Sequence, residues 1–487
     1  MVSRRQFRIY FSDFFDVSTT SISEYGAFDI SLINDLPLFI DPFLLFNSED
    51  AKYQELHQAI IRYMLFLKQQ SSQDLKGGLV KAWFHFPEVR QNWLGFSKTG
   101  NSGRGLGSNF ALSLKRNFTT IFSNFGNEKE SGTHLGKLTL IKNGVGKDNI
   151  SDFTCNLIKG YLAEYTQEFA LANIHPSKLS KFHIDKTSFN YTTKTWISKQ
   201  YTLPKFGSDF VLLTPIDILT KDDAWISHNG FIEDFNSILH SVGNAPLRAQ
   251  IESYFISQLP IQANKAEREV AIEKVVKKYP ALLDQYVKIQ EGSGKDATSI
   301  SAQKVQAAQQ LFVAHLRRLI DLLDETNFYE ISTNSNIEGM KRIEYLKHVI
   351  EKQDGYRIFY INGKPISRES DLQIMFKLTW FASAYSADAE VNNGRGPSDF
   401  LVSYGSNDKS IIEFKLAKNS QLERNLQHQA EIYTDASRAT HPPIKVILFF
   451  KQSELIKVQS ILSRLKLDKS KNIVLIDATP KSSASKT

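Results

Sequence analysis

Apolar and polar residues recur along this chain in two rhythms, and both are clearest in its last third. In Lys409 to Leu416 the apolar Ile412, Phe414 and Leu416 fall two apart, with Glu413 and Lys415 between them. On a strand successive side chains point to opposite faces, so one face is apolar and the other carries a carboxylate and an ammonium. Asp399 to Tyr404 is rich in β-favouring residues and predicts a partner strand, with Gly405 to Asp408 as the turn. In that hairpin Asp399, at the start of one strand, faces Glu413 near the end of the other. The apolar face is expected to pack on a core and to leave the charged pair at the surface of a cleft.

The rhythm then changes. Leu422, Leu426, Ala430 and Tyr433 predict a helix over Gln421 to Ser437, with Gln429 and Tyr433 on one face. Ile444 to Phe450 reads as a buried strand, Ser453 to Leu465 as an amphipathic helix, and Asn472 to Asp477 as a last strand. Upstream, Ser370-Asp-Leu-Gln373 has the spacing of a capping box and opens a helix through Leu372, Met375, Phe376 and Thr379. Ser386 to Val391 reads as a strand and Asn392 to Gly396 as a turn. The order is helix, three strands, helix, strand, helix, strand.

The first two thirds are less regular. Tyr53 to Gln69 is an amphipathic helix, and Phe210 to Thr214 reads as a core strand. Ser151 has the character of an N-cap with Asp152 in the first turn, opening a helical pattern that runs through Ala170. Asp148 and Asp152 beside glycines hint at a metal site, but the capping role accounts for them better. Residues 264 to 325 are helical and highly charged, interrupted by Glu291-Gly-Ser-Gly-Lys295, which reads as a flexible link. Three parts are expected: an α+β region over 1–250, a helical connector over 251–354, and an α/β unit over 355–487 with a mixed sheet flanked by helices. The chain overall is α+β.

Composition narrows the function. The chain has 487 residues and 41% hydrophobic content, enough for large cores. Its net charge is +7, and residues 355–487 hold 19 Lys and Arg against 13 Asp and Glu. Nearly all the excess lies there, as a polyanionic partner favours. Cys155 is the single cysteine, which excludes an intramolecular disulfide and a cysteine metal cluster and fits a reducing cytoplasm. No secretory leader is read at the N-terminus. The densest apolar window, Leu36 to Leu45, is too short for a membrane span and contains Asp41 and Pro42. The glycine-rich stretches Ser97 to Ser108 and Gly132 to Leu138 miss the spacings of nucleotide-binding loops, so an ATPase is disfavoured. The histidines form no His-Glu-x-x-His motif.

Two carboxylates facing each other repel unless a cation or proton sits between them. Hard oxygen ligands of this kind suit Mg²⁺ or Mn²⁺. Asp399 and Glu413 are therefore the candidate metal ligands. Lys415 is placed to orient a water or to neutralise charge building on a phosphorus. Glu413-x-Lys415 taken alone is equally a salt bridge on a solvated strand. Gly394-Arg395-Gly396 allows close backbone approach to a phosphate and a guanidinium clamp, or is a plain turn with a solvated arginine.

Pro397 and Asp399, Glu413 and Lys415, and the following Gln429 and Tyr433 together resemble the PD-(D/E)XK nuclease superfamily, the restriction-endonuclease-like fold. The Gln-x-x-x-Tyr spacing is similar to the branch with RecB-like nuclease domains. Ser398 between Pro397 and Asp399 departs from the family name. The resemblance covers about the last quarter of the chain. It implies Mg²⁺-dependent hydrolysis of DNA leaving a 5′-phosphate, with Gln429 and Tyr433 supporting substrate. It also implies a further acid on or near the first helix, for which Glu369, Asp371 and Glu390 are candidates. By analogy, a large N-terminal region on such a unit resembles bacterial restriction or anti-phage systems. The expected partner is DNA rather than a membrane, with a second copy of the chain or a partner protein left open. A non-cleaving nucleic-acid-binding or scaffolding protein, or an RNA nuclease, is the alternative.

Overall fold

Apolar stripes decide which helix faces turn inward. Tyr53, Ile60, Met64 and Leu67 lie along one face of the long helix Ala51–Ser71 and are all buried, and Asp50 caps its start by accepting from Lys52 N at 2.8 Å. The computed structural model describes residues 7–73, 75, 77–95, 118, 122, 124–128, 131–140, 147–221, 223–329, 334–380, 399–404, 408–427 and 441–481.

The main elements of the first part are β1 (Leu38–Ile40), α1 (Ala51–Ser71), α2 (Lys147–Leu157), α3 (Lys159–Asn173), β2 (Leu179–Asn190), β3 (Thr195–Phe206), β4 (Asp209–Phe210) and β5 (Leu219–Lys221). Helices follow: α4 (His228–His240), α5 (Ala245–Gln258), α6 (Lys265–Lys278), α7 (Ala281–Gly292), α8 (Gly294–Gln309), α9 (Leu316–Asp324) and α10 (Ser335–Lys352). The last part holds β6 (Tyr360–Ile361), β7 (Lys364–Pro365), α11 (Glu369–Trp380), β8 (Asp399–Tyr404), β9 (Asp408–Leu416), β10 (Ile444–Phe449), α12 (Gln452–Arg464) and β11 (Ile473–Asp477). The fold is α+β, as the sequence leads one to expect. Among the described residues no helix is long and apolar enough to cross a membrane.

The C-terminal sheet is mixed, in the order β11-β10-β9-β8. β8 runs antiparallel to β9, while β9, β10 and β11 are parallel. Parallel neighbours need crossover connections, and α12 supplies the one between β10 and β11. One face of β9 sends Ile412, Phe414 and Leu416 into the main core, where Phe414 stacks on Phe376 of α11 at 4.0 Å. Helix α10 closes on the same face at Gly339, where a Cβ would meet Ile412 at 3.0 Å.

Several local expectations differ from what is found. Helix α11 starts at Glu369, so Ser370 lies inside it, and the Arg368 carbonyl accepts from Leu372 N. Gln373 is drawn away from the capping role to the Phe414 carbonyl at 3.3 Å. Ser151 also lies within its helix, and its hydroxyl accepts from Ile40 N at 2.9 Å, tying α2 to β1. The helical pattern through Ala170 breaks at Ile158 into α2 and α3. Val211, Leu212 and Leu213 are buried but not laddered, because their N–H groups bond to Pro204 O, Gln91 O and Thr166 Oγ1. Glu291 to Lys295 is a tight helix junction, not a loose link. The Glu291 carboxylate accepts from Gly132 N at 2.5 Å and lies 2.8 Å from His134 Nε2, while the Gly294 carbonyl accepts from Asn47 at 2.7 Å. The strand expected over Ser386 to Val391, and the helix expected beyond residue 427, lie outside the described residues.

The first and last parts share one apolar core, and polar contacts pin them together. Lys221 at the end of β5 reaches Asp371 on α11 at 2.7 Å, with both side chains buried. Its ammonium also lies 5.2 Å from the Phe312 ring. Phe312 sits in a widened π-helical turn, Gln310–His315, and its carbonyl accepts from the Tyr10 hydroxyl. Lys377 of α11 donates to Asn34 at 2.6 Å, and Arg342 of α10 donates to the Trp380 carbonyl at 3.2 Å.

Removing one partner of a buried ion pair strands the other charge. Lys221→Met should therefore destabilise the fold by about 3 kcal/mol, while Lys221→Met combined with Asp371→Leu should regain most of that loss. Denaturant unfolding of the single and double variants reads this, and additive losses would exclude the coupling. A second expectation concerns pH. Burial holds His57 down to about 3 from 6.5, so between those values the unfolded chain takes up a proton that the folded chain refuses. Stability should fall as pH drops through that window, and His57→Phe should flatten the acid limb of a Tm-against-pH curve. An unchanged limb would exclude His57 as its source.

Candidate active site

Backbone register brings the charged positions of three strands into one row. Asp399 on β8 pairs with Glu413 on β9, and Glu413 pairs in turn with Lys445 on β10. Register partners share a sheet face, so Lys445 stands beside Glu413 on the side away from Asp399. Lys415 lies two residues further along β9, opposite Ile447. The expected facing of Asp399 and Glu413 is thus present in the backbone, and nothing is described of the Asp399 side chain.

The expected open cleft is not found at Glu413 and Lys415, which are 0% and 3% exposed. The cause is a second apolar layer. Leu422 and Leu426, together with Val458, Ile461 and Leu462 of α12, pack on Ile447 and Phe449 from the face that carries the charges. β9 is therefore covered on both sides. Charged groups in such a place are costly unless other groups compensate them.

Part of that compensation comes from the start of α11. The Glu369 carboxylate lies 3.5 Å from Lys415 Nζ through Oε1. Its Oε2 accepts from Leu416 N at 3.2 Å and from Asn419 Nδ2 at 2.7 Å. Gln373, one turn along, donates to Glu369 Oε1 at 3.4 Å. Of the three candidate extra acids, the structure brings Glu369 to the lysine. Asp371 turns to Lys221 instead, and Glu390 lies outside the described residues. Arg395, Gln429 and Tyr433 also lie outside them.

Three neighbours escaped the reading of the sequence. Lys445 is 5% exposed in a strand whose other residues are apolar, and a lysine at such a position was the available signal. Asn419 carries no motif and Gln373 was read only as part of a capping box, because their roles here come from the contact of α11 with the end of β9.

Glu413 and Glu369 offer hard carboxylate oxygens, a donor type that suits Mg²⁺ or Mn²⁺ over softer metals. The Asp399 position adjoins the first of them. Among the described residues no group of three His, Cys, Asp or Glu side chains is placed to hold a metal ion.

Two family matches divide the chain. Residues 16–227 match a family described as "Domain of unknown function (DUF8370)", and residues 336–452 match "Domain of unknown function (DUF8371)". The second match begins in α10 and spans α11, β8, β9 and β10, so it contains the charged row and Glu369. No curated protein and no solved structure matches the chain.

Proposed function

We propose that this chain is a Mg²⁺- or Mn²⁺-dependent nuclease that hydrolyses DNA phosphodiester bonds, of the PD-(D/E)XK kind, with its active site on β8, β9 and the start of α11. One observation carries the reading: the pairing of Asp399 with Glu413 on adjacent strands, with Lys415 next along the same face and held 3.5 Å from Glu369. A sheet built only for stability gains nothing from a glutamate and two lysines in its buried centre.

Asp399 and Glu413 would hold the metal. When bound, the metal would polarise the scissile phosphate and acidify a water. Lys415 would set its ammonium against the charge that grows on the phosphoryl oxygens. Glu369 would keep Lys415 in place through their ion pair and keep α11 on β9 through the Leu416 N–H. Gln429 and Tyr433 would support substrate, and Arg395 would clamp a phosphate. In this reading the chain works in the cytoplasm, in restriction or anti-phage defence.

Digestion of plasmid and linear duplex DNA, with Mg²⁺ or Mn²⁺ and with chelator, tests the proposal. Wild type should cut only with metal, and Asp399→Ala and Lys415→Ala should each slow cutting at least about 100-fold. Undiminished cutting by Lys415→Ala would overturn the mechanism. No cutting of DNA or RNA by wild type would favour a binder that keeps the fold, and cutting of RNA alone would replace the substrate.

Glu369 separates structure from chemistry. Glu369→Ala should cost about 2 kcal/mol of stability by leaving the Leu416 N–H and Asn419 without their acceptor. Glu369→Gln keeps an acceptor, so its unfolding midpoint should stay near wild type while cutting falls about tenfold. Full activity in Glu369→Gln would remove Glu369 from the reaction.

A further inference from the structure

The three parallel strands of the C-terminal sheet end together. Leu416 of β9 pairs with Leu448 of β10, and Phe449 of β10 pairs with Asp477 of β11, so their carboxyl ends form one edge. β8 runs the other way and begins toward that edge, with Asp399 opposite Glu413. In open sheets of parallel strands, ligands are met beyond the carboxyl ends. Three lysines stand there. Lys418 follows β9, Lys451 follows β10 and Lys457 lies in the second turn of α12, and all three are exposed. Hydrogen bonds gather them. Lys418 Nζ donates to the Ile366 carbonyl at 3.2 Å, just before α11. Lys457 Nζ donates to the Ala417 and Asn419 carbonyls at 3.4 and 3.1 Å. Burial lowers the proton affinity of the Lys418 ammonium, Glu454 opposes that shift, and the nearby Lys451 adds to it. Glu454, the acid among them, accepts from Phe450 N at 2.8 Å.

Contacts in series lead from this edge to the candidate active site. Asn419, whose carbonyl receives Lys457, donates from Nδ2 to Glu369 at 2.7 Å, and Glu369 lies 3.5 Å from Lys415. The Glu369 side chain keeps 20% of its surface in solvent against 4% for Lys415, so the charged row meets water on the Glu369 side. The edge lysines also keep donors to offer. Elsewhere in the last part of the chain Lys347, Arg464 and Lys481 are matched to Glu351, Glu423 and Asp477. Among the described residues no carboxylate lies within ion-pair distance of Lys418, Lys451 or Lys457. An ammonium has three N–H donors, of which Lys418 uses one and Lys457 two on backbone carbonyls. Side chains held in this way lose less freedom when a ligand arrives.

We infer that Lys418, Lys451 and Lys457 form a landing surface for the phosphate backbone of duplex DNA, at the carboxyl edge of the sheet beside Glu369. Phosphates are met by positive charge and N–H donors and carry no sequence, which suits three ammonium groups set on a backbone scaffold. Residues 355–487 hold 19 Lys and Arg against 13 Asp and Glu, and at this edge the excess adjoins the candidate active site. The opposite edge is basic too, at the exposed Lys466, Lys469 and Lys471 between α12 and β11. It lies at the amino ends of the parallel strands, away from Glu369. The choice of DNA rests on the nuclease reading above, whereas the binding test does not depend on cutting.

Binding is measured by fluorescence anisotropy in chelator, on a short DNA duplex and an RNA duplex of the same sequence. The variant Lys418→Gln, Lys451→Gln, Lys457→Gln keeps N–H donors at all three places and removes the charge. It should bind DNA at least about tenfold more weakly at low salt, and its log K against log salt slope should shrink by about three. The matched control Lys466→Gln, Lys469→Gln, Lys471→Gln, at the opposite edge, should bind within about threefold of wild type. Circular dichroism and thermal unfolding verify that both variants fold. Should the first fail to fold, Lys451→Gln alone, whose side chain bonds no described group, should still shrink the slope by about one. Wild-type affinity and slope in the edge variants, equal loss in the control, binding of RNA alone, or no DNA binding by wild type would each overturn the inference. Binding through this edge without cutting under Mg²⁺ would remove the nuclease reading and leave the landing surface standing.

Discussion

The ion pair between Lys221 and Asp371 is the contact on which the rest of the molecule turns. It closes over 150 residues of sequence, at the seam where β5 meets α11. Helix α11 has four commitments in little more than three turns. It gives Glu369 to the end of β9, Asp371 to Lys221, Lys377 to Asn34 and the Trp380 carbonyl to Arg342. Shifting the helix to suit one partner would strain the other three. The position of Glu369 beside Lys415 is thus set from the N-terminal part as well as from its own sheet.

The burial of charge at both places follows one logic. Lys221 and Asp371 neutralise each other, and the aromatic ring of Phe312 lies against the ammonium. In the sheet, Glu413 and Lys445 stand side by side between two apolar layers, and Lys415 is met by Glu369. Neither group is a cheap way to fill a core, since apolar residues of the same size cost less to bury. At the seam the pairing fixes which surfaces meet. In the sheet it sets the charges in a place from which water is excluded, where each acts more strongly on its neighbours.

Much of the C-terminal sheet was legible from the residues. The alternation in Lys409 to Leu416 and the apolar run at Ile444 gave strands within a residue of those found, because period and bounding turns agree there. The pairing of Asp399 with Glu413 followed from the length of the turn between them. What the sequence hid depended on distant contacts. Glu369 and Asp371 are two residues apart, about 200° around a helix, so one faces the sheet and the other the N-terminal part. Nothing local says which. The covering of β9 on its charged face comes from helices later in the chain, so the burial of Glu413 and Lys415 could not be read from an alternating strand. The capping pattern at Ser370 misled because Gln373 has a better acceptor across the core. In the first two thirds, short strands and irregular buried segments such as Val211 to Leu213 leave little periodicity to read.

The seam has a consequence for how the chain can be divided. Cutting it between the two family matches would leave Asp371 and Lys377 facing water or each other's absent partners, and would bare the apolar side of α11. In a fragment starting near residue 336, α11 would have lost two of its four polar partners, Lys221 and Asn34. Whatever the two halves each recognise, the shared core and the seam join them into a single mechanical piece.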